Sequence, residues 1–218
     1  SELSLGQFIK NVFDYSTGKP VQQQPGKVAN ENFQRAQKNN ENGPADSTEY
    51  HPEFCTPAGY LKYTDDVKGV ELGGALKNII AFCAGVAAGL GLGDNTFAAL
   101  ITRGLAELSR LGVELGGQKE TLYGLSGLGD LIVTCLSEHS RNRKAGKLIG
   151  QGLSLEETKK EVGMTIESID NIEVAHELGK LHNIEMPIVE AVYGILYKGL
   201  KPEDAVSMLM NRAKKSEN

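Results

Sequence analysis

The sequence predicts an all-α domain preceded by a long irregular segment. After residue 62, apolar residues recur at the three- and four-residue spacing of helices, and strand-like composition is confined to residues 59–67. Before it lie five of the seven prolines and polar runs such as Gln22-Gln23-Gln24, a composition typical of loops or disordered chain. We therefore divide the chain into an irregular, partly disordered segment, 1–62, and an all-α domain, 63–218.

The irregular segment offers two short helix candidates, 5–15 and 28–39, in which apolar residues share one face. Its glycines are isolated, so it lacks the G-x-G-x-x-G turn of a dinucleotide-binding βαβ unit. We expect no Rossmann sheet in these residues.

Two longer helices are predicted to open the helical domain. The first, 73–90, is rich in small residues, and the second begins with Asp94 as its N-cap and ends before Gly116-Gly117. We expect these two helices to pack as an antiparallel pair.

Six further helices are predicted from caps and periodicity. Gly150 is expected to close one of them, the capping box Ser154-Leu-Glu-Glu157 opens the next, and Pro202 opens the last. Their ranges are 129–136, 141–148, a helix starting after Ser154, 168–181, 187–196 and 202–210.

Charge and composition narrow the classes of partner. The 218 residues are 40% apolar and carry a net charge of −5, which argues against nucleic-acid or anionic-membrane binding and favours metabolites or proteins. The apolar stretch 78–92 is broken by glycines and is too short for a membrane span. Because the opening residues resemble neither a secretory signal nor a transit peptide, a cytoplasmic location is expected.

Cysteine and histidine spacing predicts neither a disulfide framework nor a metal site. The three cysteines form no CxxC pair, and the four histidines show no ligand spacing.

Lys77 is the first candidate for chemistry. It shares a helix side with glycines and alanines, which lets a ligand or another backbone approach closely and lets the ammonium group lose water. Such a lysine suits a general acid or base. On spacing alone, a lysine that extends its head group to solvent is the commoner case. The neighbouring Asn78 is equally ambiguous.

A glycine-rich stretch, 124–130, presents Asp130 at a predicted helix start, with Thr134 one turn further on the same face. This carboxylate could bind a substrate hydroxyl or position a lysine. An ordinary N-cap role is the strong alternative.

Ser140-Arg141-Asn142-Arg143 is the most suggestive local pattern. Ser140 can cap a helix whose first turn offers backbone N–H groups and a guanidinium to an oxygen anion. A phosphate or carboxylate site and a solvated basic face are about equally supported here. Glu167 fits a first-turn helix carboxylate, for which a structural role is the default.

From residue 63 to 212 the chain resembles the C-terminal domain of NAD(P)-dependent glycerol-3-phosphate dehydrogenases of the bacterial type. The segments that carry the resemblance are Asp66-Val-Lys-Gly-Val-Glu-Leu-Gly-Gly-Ala-Leu-Lys-Asn78, Gly89-Leu-Gly-Leu-Gly-Asp-Asn95, Leu100-Ile-Thr-Arg-Gly-Leu-Ala-Glu107, Gly124-Leu-Ser-Gly-Leu-Gly-Asp-Leu131 and Ser140-Arg-Asn-Arg143. The fold that this resemblance implies is the all-α kind seen at the C-terminus of 6-phosphogluconate dehydrogenase.

The resemblance implies roles for particular residues. The family interconverts dihydroxyacetone phosphate and sn-glycerol 3-phosphate, and Lys77 matches its general acid/base. Its substrate-binding residues are matched by Lys77, Asn78, Asp130, Thr134, Ser140, Arg141 and Asn142. Its cofactor contacts, to NAD or NADP, are matched by Arg141, Thr165 and Glu167, where Thr165 replaces the usual valine. A homodimer is also possible by this resemblance.

The family also carries a Rossmann domain ahead of this one, which residues 1–62 cannot form. We therefore expect a substrate-binding and dimerisation domain with little or no activity alone. The alternative hypothesis is a non-catalytic helical scaffold whose N-terminal arm binds a partner.

Overall fold

The fold is built around one long apolar helix, α1 (Val67–Gly89). The structure, a computed structural model, describes residues 13–14, 19–20 and 66–210. Ile79, Phe82 and Ala84 of α1 are fully buried. By length and composition α1 could cross a membrane, but 72% of its apolar window lies inside the protein. The apolar stretch 78–92 predicted from the sequence is too short for a membrane span, but α1 is long enough to span one. Its burial inside the protein is what identifies it as a core helix.

The remaining elements between residues 94 and 210 are also helical, which confirms the all-α prediction for this part of the chain. They are α2 (Asp94–Glu114), α3 (Lys119–Tyr123), a π-helical turn (Leu125–Gly129), α4 (Asp130–Leu136), α5 (Arg141–Gly150), α6 (Leu155–Val162), α7 (Glu167–Leu181), α8 (Pro187–Tyr197) and α9 (Pro202–Met210).

Two short strands lie in a separate unit of the chain. β1 (Phe13–Asp14) pairs antiparallel with β2 (Lys19–Pro20), with Phe13 opposite Pro20. The helix predicted over 5–15 is therefore wrong at Phe13 and Asp14, because these two residues pair as a strand with Lys19 and Pro20. The rest of that prediction and the helix at 28–39 lie outside the described residues.

Several helix boundaries differ from prediction for local reasons. α1 begins at Val67 rather than at the predicted residue 73, because the Asp66 carboxylate accepts a 2.9 Å hydrogen bond from Gly69 N and caps the helix. Gly93, not Asp94, is the N-cap of α2. The capping box at Ser154 and Glu157 is confirmed, and both of its hydrogen bonds are present.

α5 crosses α1 backbone against backbone. A Cβ added at Gly146 would lie 1.9 Å from Phe82 O, and one at Gly85 would lie 2.1 Å from Arg143 O. Gly150, predicted to close α5, instead stays helical and packs on Val86, while the chain turns at Gly152 with φ +96°. This crossing fixes the start of α5 beside the middle of α1.

Candidate functional site

Lys77 and Asn78 are neighbours on α1, and each contacts a different acidic residue. The Lys77 ammonium group forms an ion pair with the Asp130 carboxylate. Asn78 Nδ2 donates a 2.6 Å hydrogen bond to Glu167 Oε2 and a 3.2 Å bond to Gly74 O. Three helices, α1, α4 and α7, thus meet around two adjacent side chains.

The π-helical turn before α4 brings Asp130 to Lys77. A Cβ at Gly127 would lie 2.0 Å from Leu122 O, so only glycine permits this turn. The turn also passes close to α1, where a Cβ at Gly73 would lie 3.5 Å from Ser126 O. The glycine-rich sequence therefore acts as predicted: it turns the backbone tightly and presents Asp130 at a helix start.

Asp130 is not an N-cap. It is the first residue of α4, the position before it is Gly129, and no side chain caps this helix. Thr134 Oγ1 donates a 2.7 Å hydrogen bond to Asp130 O and lies 3.4 Å from Asp130 Oδ1, to which it also donates. The alternative of an ordinary N-cap is wrong, because the carboxylate turns to the lysine instead.

Arg141 lies at the start of α5, next to its N-cap. Ser140 Oγ accepts a 3.2 Å hydrogen bond from Arg143 N, as the sequence predicts. Arg141 Nη2 donates 3.1 Å to Glu167 Oε1, and the two side chains are 32% and 36% exposed. Glu167 therefore bridges Arg141 and Asn78 through its two oxygens.

Asn142 lies beneath this cluster rather than at its surface. It is 5% exposed, and its Oδ1 accepts a 2.9 Å hydrogen bond from Ser168 N in the first turn of α7. Asn142 thus holds Glu167's helix against α5.

Asn171 is a contributor that the sequence reasoning missed. It is 6% exposed and its Nδ2 donates 3.3 Å to Ala75 O of α1, which ties α7 to the turn that carries Lys77. The available signal was an amide between Ile169 and Ile172 on the apolar face of a helix, where a buried polar group needs a partner.

The cluster is balanced in charge: Lys77 and Arg141 face Asp130 and Glu167, one acid for each cation. A partly buried ammonium oriented by a carboxylate can transfer a proton, and a guanidinium can bind an oxygen anion through its planar array of N–H donors. Thr165 is exposed two residues before Glu167. Between residues 66 and 210, no three His, Cys, Asp or Glu side chains are placed to hold a metal ion.

Comparison with protein families and known proteins agrees with the geometry. Residues 66–207 match the model described as NAD-dependent glycerol-3-phosphate dehydrogenase C-terminus. The chain is 60% identical over 164 residues to glycerol-3-phosphate dehydrogenase [NAD(P)+] of Carboxydothermus hydrogenoformans, covering 75% of this chain and 49% of the relative. It is 56% identical over 153 residues to the protein of that name from Clostridium perfringens, covering 70% and 46%.

Solved structures give the same result. The glycerol-3-phosphate dehydrogenase of Coxiella burnetii superposes with a TM-score of 0.67 at 47% identity, covering 68% of this chain and 46% of that one. That of Saccharomyces cerevisiae superposes with a TM-score of 0.63 at 28% identity, covering 78% and 51%. The chain spans about half the length of the curated relatives it matches.

Proposed function

The chain belongs to the NAD-dependent glycerol-3-phosphate dehydrogenase family, and from that premise we propose that residues 63–218 form the substrate-binding domain of such an enzyme. The observation that supports the proposal is the convergence of Lys77, Asp130, Asn78 and Arg141 at one place between α1, α4, α5 and α7. The proposed ligands are sn-glycerol 3-phosphate and dihydroxyacetone phosphate.

Each end of this small ligand has a matching group in the site. Arg141 and the backbone N–H groups at the capped start of α5 suit the phosphate, since a helix start and a guanidinium both favour oxygen anions. Asn78, Asp130 and Thr134 supply hydrogen-bonding groups for the hydroxyls. Ser140 and Asn142 support the phosphate end of the site. Ser140 caps α5, and Asn142 anchors α7 against it.

Lys77 is the proposed general acid and base. In the direction of reduction, its ammonium group gives a proton to the C2 oxygen as the carbonyl becomes an alcohol; in the direction of oxidation, the neutral amine takes that proton back. Asp130 holds the ammonium in place through their ion pair. Because the Lys77 side chain is only 19% exposed, the amine keeps a fixed position near the substrate.

The relatives' names imply NAD(P), and the described residues fit the edge of such a group. The Arg141 and Glu167 side chains are about one-third exposed, and Thr165 is exposed beside them, so all three can reach a ligand outside the helical body. When bound, the nicotinamide supplies the hydride exchange. This chain's part is to hold the edge of the cofactor and to move the proton.

Calorimetric titration with sn-glycerol 3-phosphate tests the proposal. The wild-type chain is expected to bind it more tightly than glycerol, and Arg141→Gln is expected to lose most of that preference. Lys144→Gln is the matched control, since Lys144 is an exposed cation of the same helix whose ammonium bonds Glu161 O. Equal affinity of wild type and Arg141→Gln, or no binding by wild type, would refute the proposal.

Two further expectations belong to this proposal. Residues 123–136 expose several large apolar side chains, among them Leu125 at 78% and Val133 at 66%, which supports a protein contact such as a homodimer. Light scattering on wild type and Val133→Glu tests it, with a mass of two chains expected for wild type and a mass of one chain for the variant.

The proposed compartment is the cytoplasm, which fractionation of the host cell would check.

A further inference from the structure

We propose that Glu167 is a carboxylate latch that occupies ligand-binding groups of the site and must be displaced when a phosphomonoester binds. The inference rests on the proposed function and concerns the same site. It arises from one geometric fact: the two oxygens of Glu167 are bonded to Arg141 and to Asn78, two of the groups assigned to the ligand.

The contacts are those that an anionic ligand would make. A carboxylate and a phosphate oxygen accept from the same donors, and a guanidinium binds either through its planar N–H fork. Glu167 Oε1 accepts a 3.1 Å hydrogen bond from Arg141 Nη2, and Glu167 Oε2 accepts a 2.6 Å hydrogen bond from Asn78 Nδ2. A ligand phosphate at Arg141 would compete with Glu167 for Arg141 Nη2, and the hydroxyls of the ligand would compete with it for Asn78 Nδ2.

While Glu167 stays in place, the site also has no net positive charge to attract a dianion. Lys77 is neutralised by Asp130 and Arg141 by Glu167, so the four charges sum to zero. A phosphate dianion that joins this cluster is repelled by a carboxylate held at its own binding group. Movement of Glu167 away from Arg141 removes that repulsion and frees the guanidinium.

The surroundings permit this movement for Glu167 but not for its helix. The Glu167 side chain is 36% exposed and lies at the first residue of α7, so it can rotate into solvent. The helix itself is held by Asn142 Oδ1 on Ser168 N and by Asn171 on Ala75 O. The latch is therefore a side-chain rotation on a fixed backbone.

Replacement of the carboxylate by an amide tests the latch. Glu167→Gln keeps the size and the acceptor oxygen but removes the charge, so the affinity for sn-glycerol 3-phosphate and for inorganic phosphate should rise, by roughly tenfold at low salt. Affinity for glycerol should not change. The gain should shrink as salt increases, because screening weakens charge repulsion and would not alter a purely structural effect.

Glu177→Gln is the matched control. Glu177 is exposed on the same helix, about 15 Å further along its axis, so it removes an equal charge without touching the cluster. Thermal midpoints and circular dichroism should be measured on both variants to check that they fold.

The outcomes separate the latch from the proposed function. Tighter phosphate binding by Glu167→Gln than by wild type supports the latch. Equal or weaker binding by Glu167→Gln, with clear binding by wild type, overturns the latch and leaves the proposed function standing. Absence of binding in both chains overturns both.

Discussion

Lys77 and Asp130 are 53 residues apart in sequence, and their ion pair joins the middle of α1 to the first residue of α4. The lysine side chain is 19% exposed and the aspartate 40%, so solvent reaches the acid more than the base. The pair therefore orients a sheltered ammonium group without being buried itself.

Asp130→Ala is expected to impair ligand binding much more than folding. A pair this accessible contributes no more than about 1 kcal/mol to the free energy of unfolding, because solvent screens it. Loss of the orienting carboxylate should nevertheless weaken binding of sn-glycerol 3-phosphate. Urea denaturation and calorimetry measure the two effects, with Glu156→Ala, from the exposed Lys159–Glu156 pair, as the control. A loss of stability several times larger would show that the pair is a structural element.

Asn142→Ala is expected to lower the stability of the fold, in contrast to Asp130→Ala. It leaves Ser168 N without its buried acceptor, which should cost about 1–3 kcal/mol of unfolding free energy. Asn95→Ala, an exposed asparagine of α2, should change stability by less than about 0.5 kcal/mol. Unchanged stability of Asn142→Ala in urea would contradict its anchoring role.

Gly146→Ala should destabilise the helical body strongly. The added Cβ would lie 1.9 Å from Phe82 O, so α5 and α1 must separate at a cost of roughly 1–3 kcal/mol or more. Gly74→Ala in α1 is the control: nothing lies within 4 Å of its added Cβ, and alanine should gain about 0.5–1 kcal/mol in a helix. Similar midpoints of thermal unfolding for the two variants would contradict the backbone contact.

Cys83 and Cys135 should resist alkylation in the native protein. Burial raises the pKa of each thiol to about 12; the Glu107 charge adds to this at Cys83, while Arg143 opposes it at Cys135. At pH 8 the reactive thiolate is then roughly a thousandfold scarcer than for a free cysteine. Peptide mass spectrometry after iodoacetamide treatment should find both unmodified until guanidinium unfolds the chain. Rapid modification of either in native buffer would refute this.

His176 should titrate below its ordinary range. Burial lowers its pKa from 6.5, and the nearby Lys180 charge adds to the effect; its ring stacks on Tyr193 with centroids 3.9 Å apart. Because the folded state binds the proton more weakly than the unfolded state, the stabilising contribution is complete above pH 6.5 and is lost as pH falls toward the folded pKa. NMR titration should show this pKa, and Tyr193→Ala should raise it by exposing the imidazole. A pKa at or above 6.5 in the wild type would be inconsistent with this account.

The elements with local signals were the ones that could be predicted. Ser140 and Ser154 mark helix starts by hydrogen bonds that span three residues, so the sequence alone identifies them. α3 and the π-helical turn gave no such signal, because they are short and depend on contacts with α1 and Leu122.

The candidate site was predictable only in part. Spacing left Lys77 and Asp130 ambiguous, and family resemblance rather than periodicity grouped them with Arg141. The role of Glu167 as a bridge was not predictable, since its bond to Asn78 joins residues 89 positions apart and depends on how α7 is anchored. Asn171 was missed for the same reason.

The backbone contact between α1 and α5 sets the spacing of the site. Core side chains such as Ile79 and Phe82 can be exchanged over time, and repacking of rotamers absorbs the change in volume. The separation between Lys77 and Arg141 is set instead by peptide groups touching peptide groups at Gly85 and Gly146, where no rotamer exists to adjust. The dimensions of the site should therefore tolerate exchanges of core side chains better than a side chain added at either glycine.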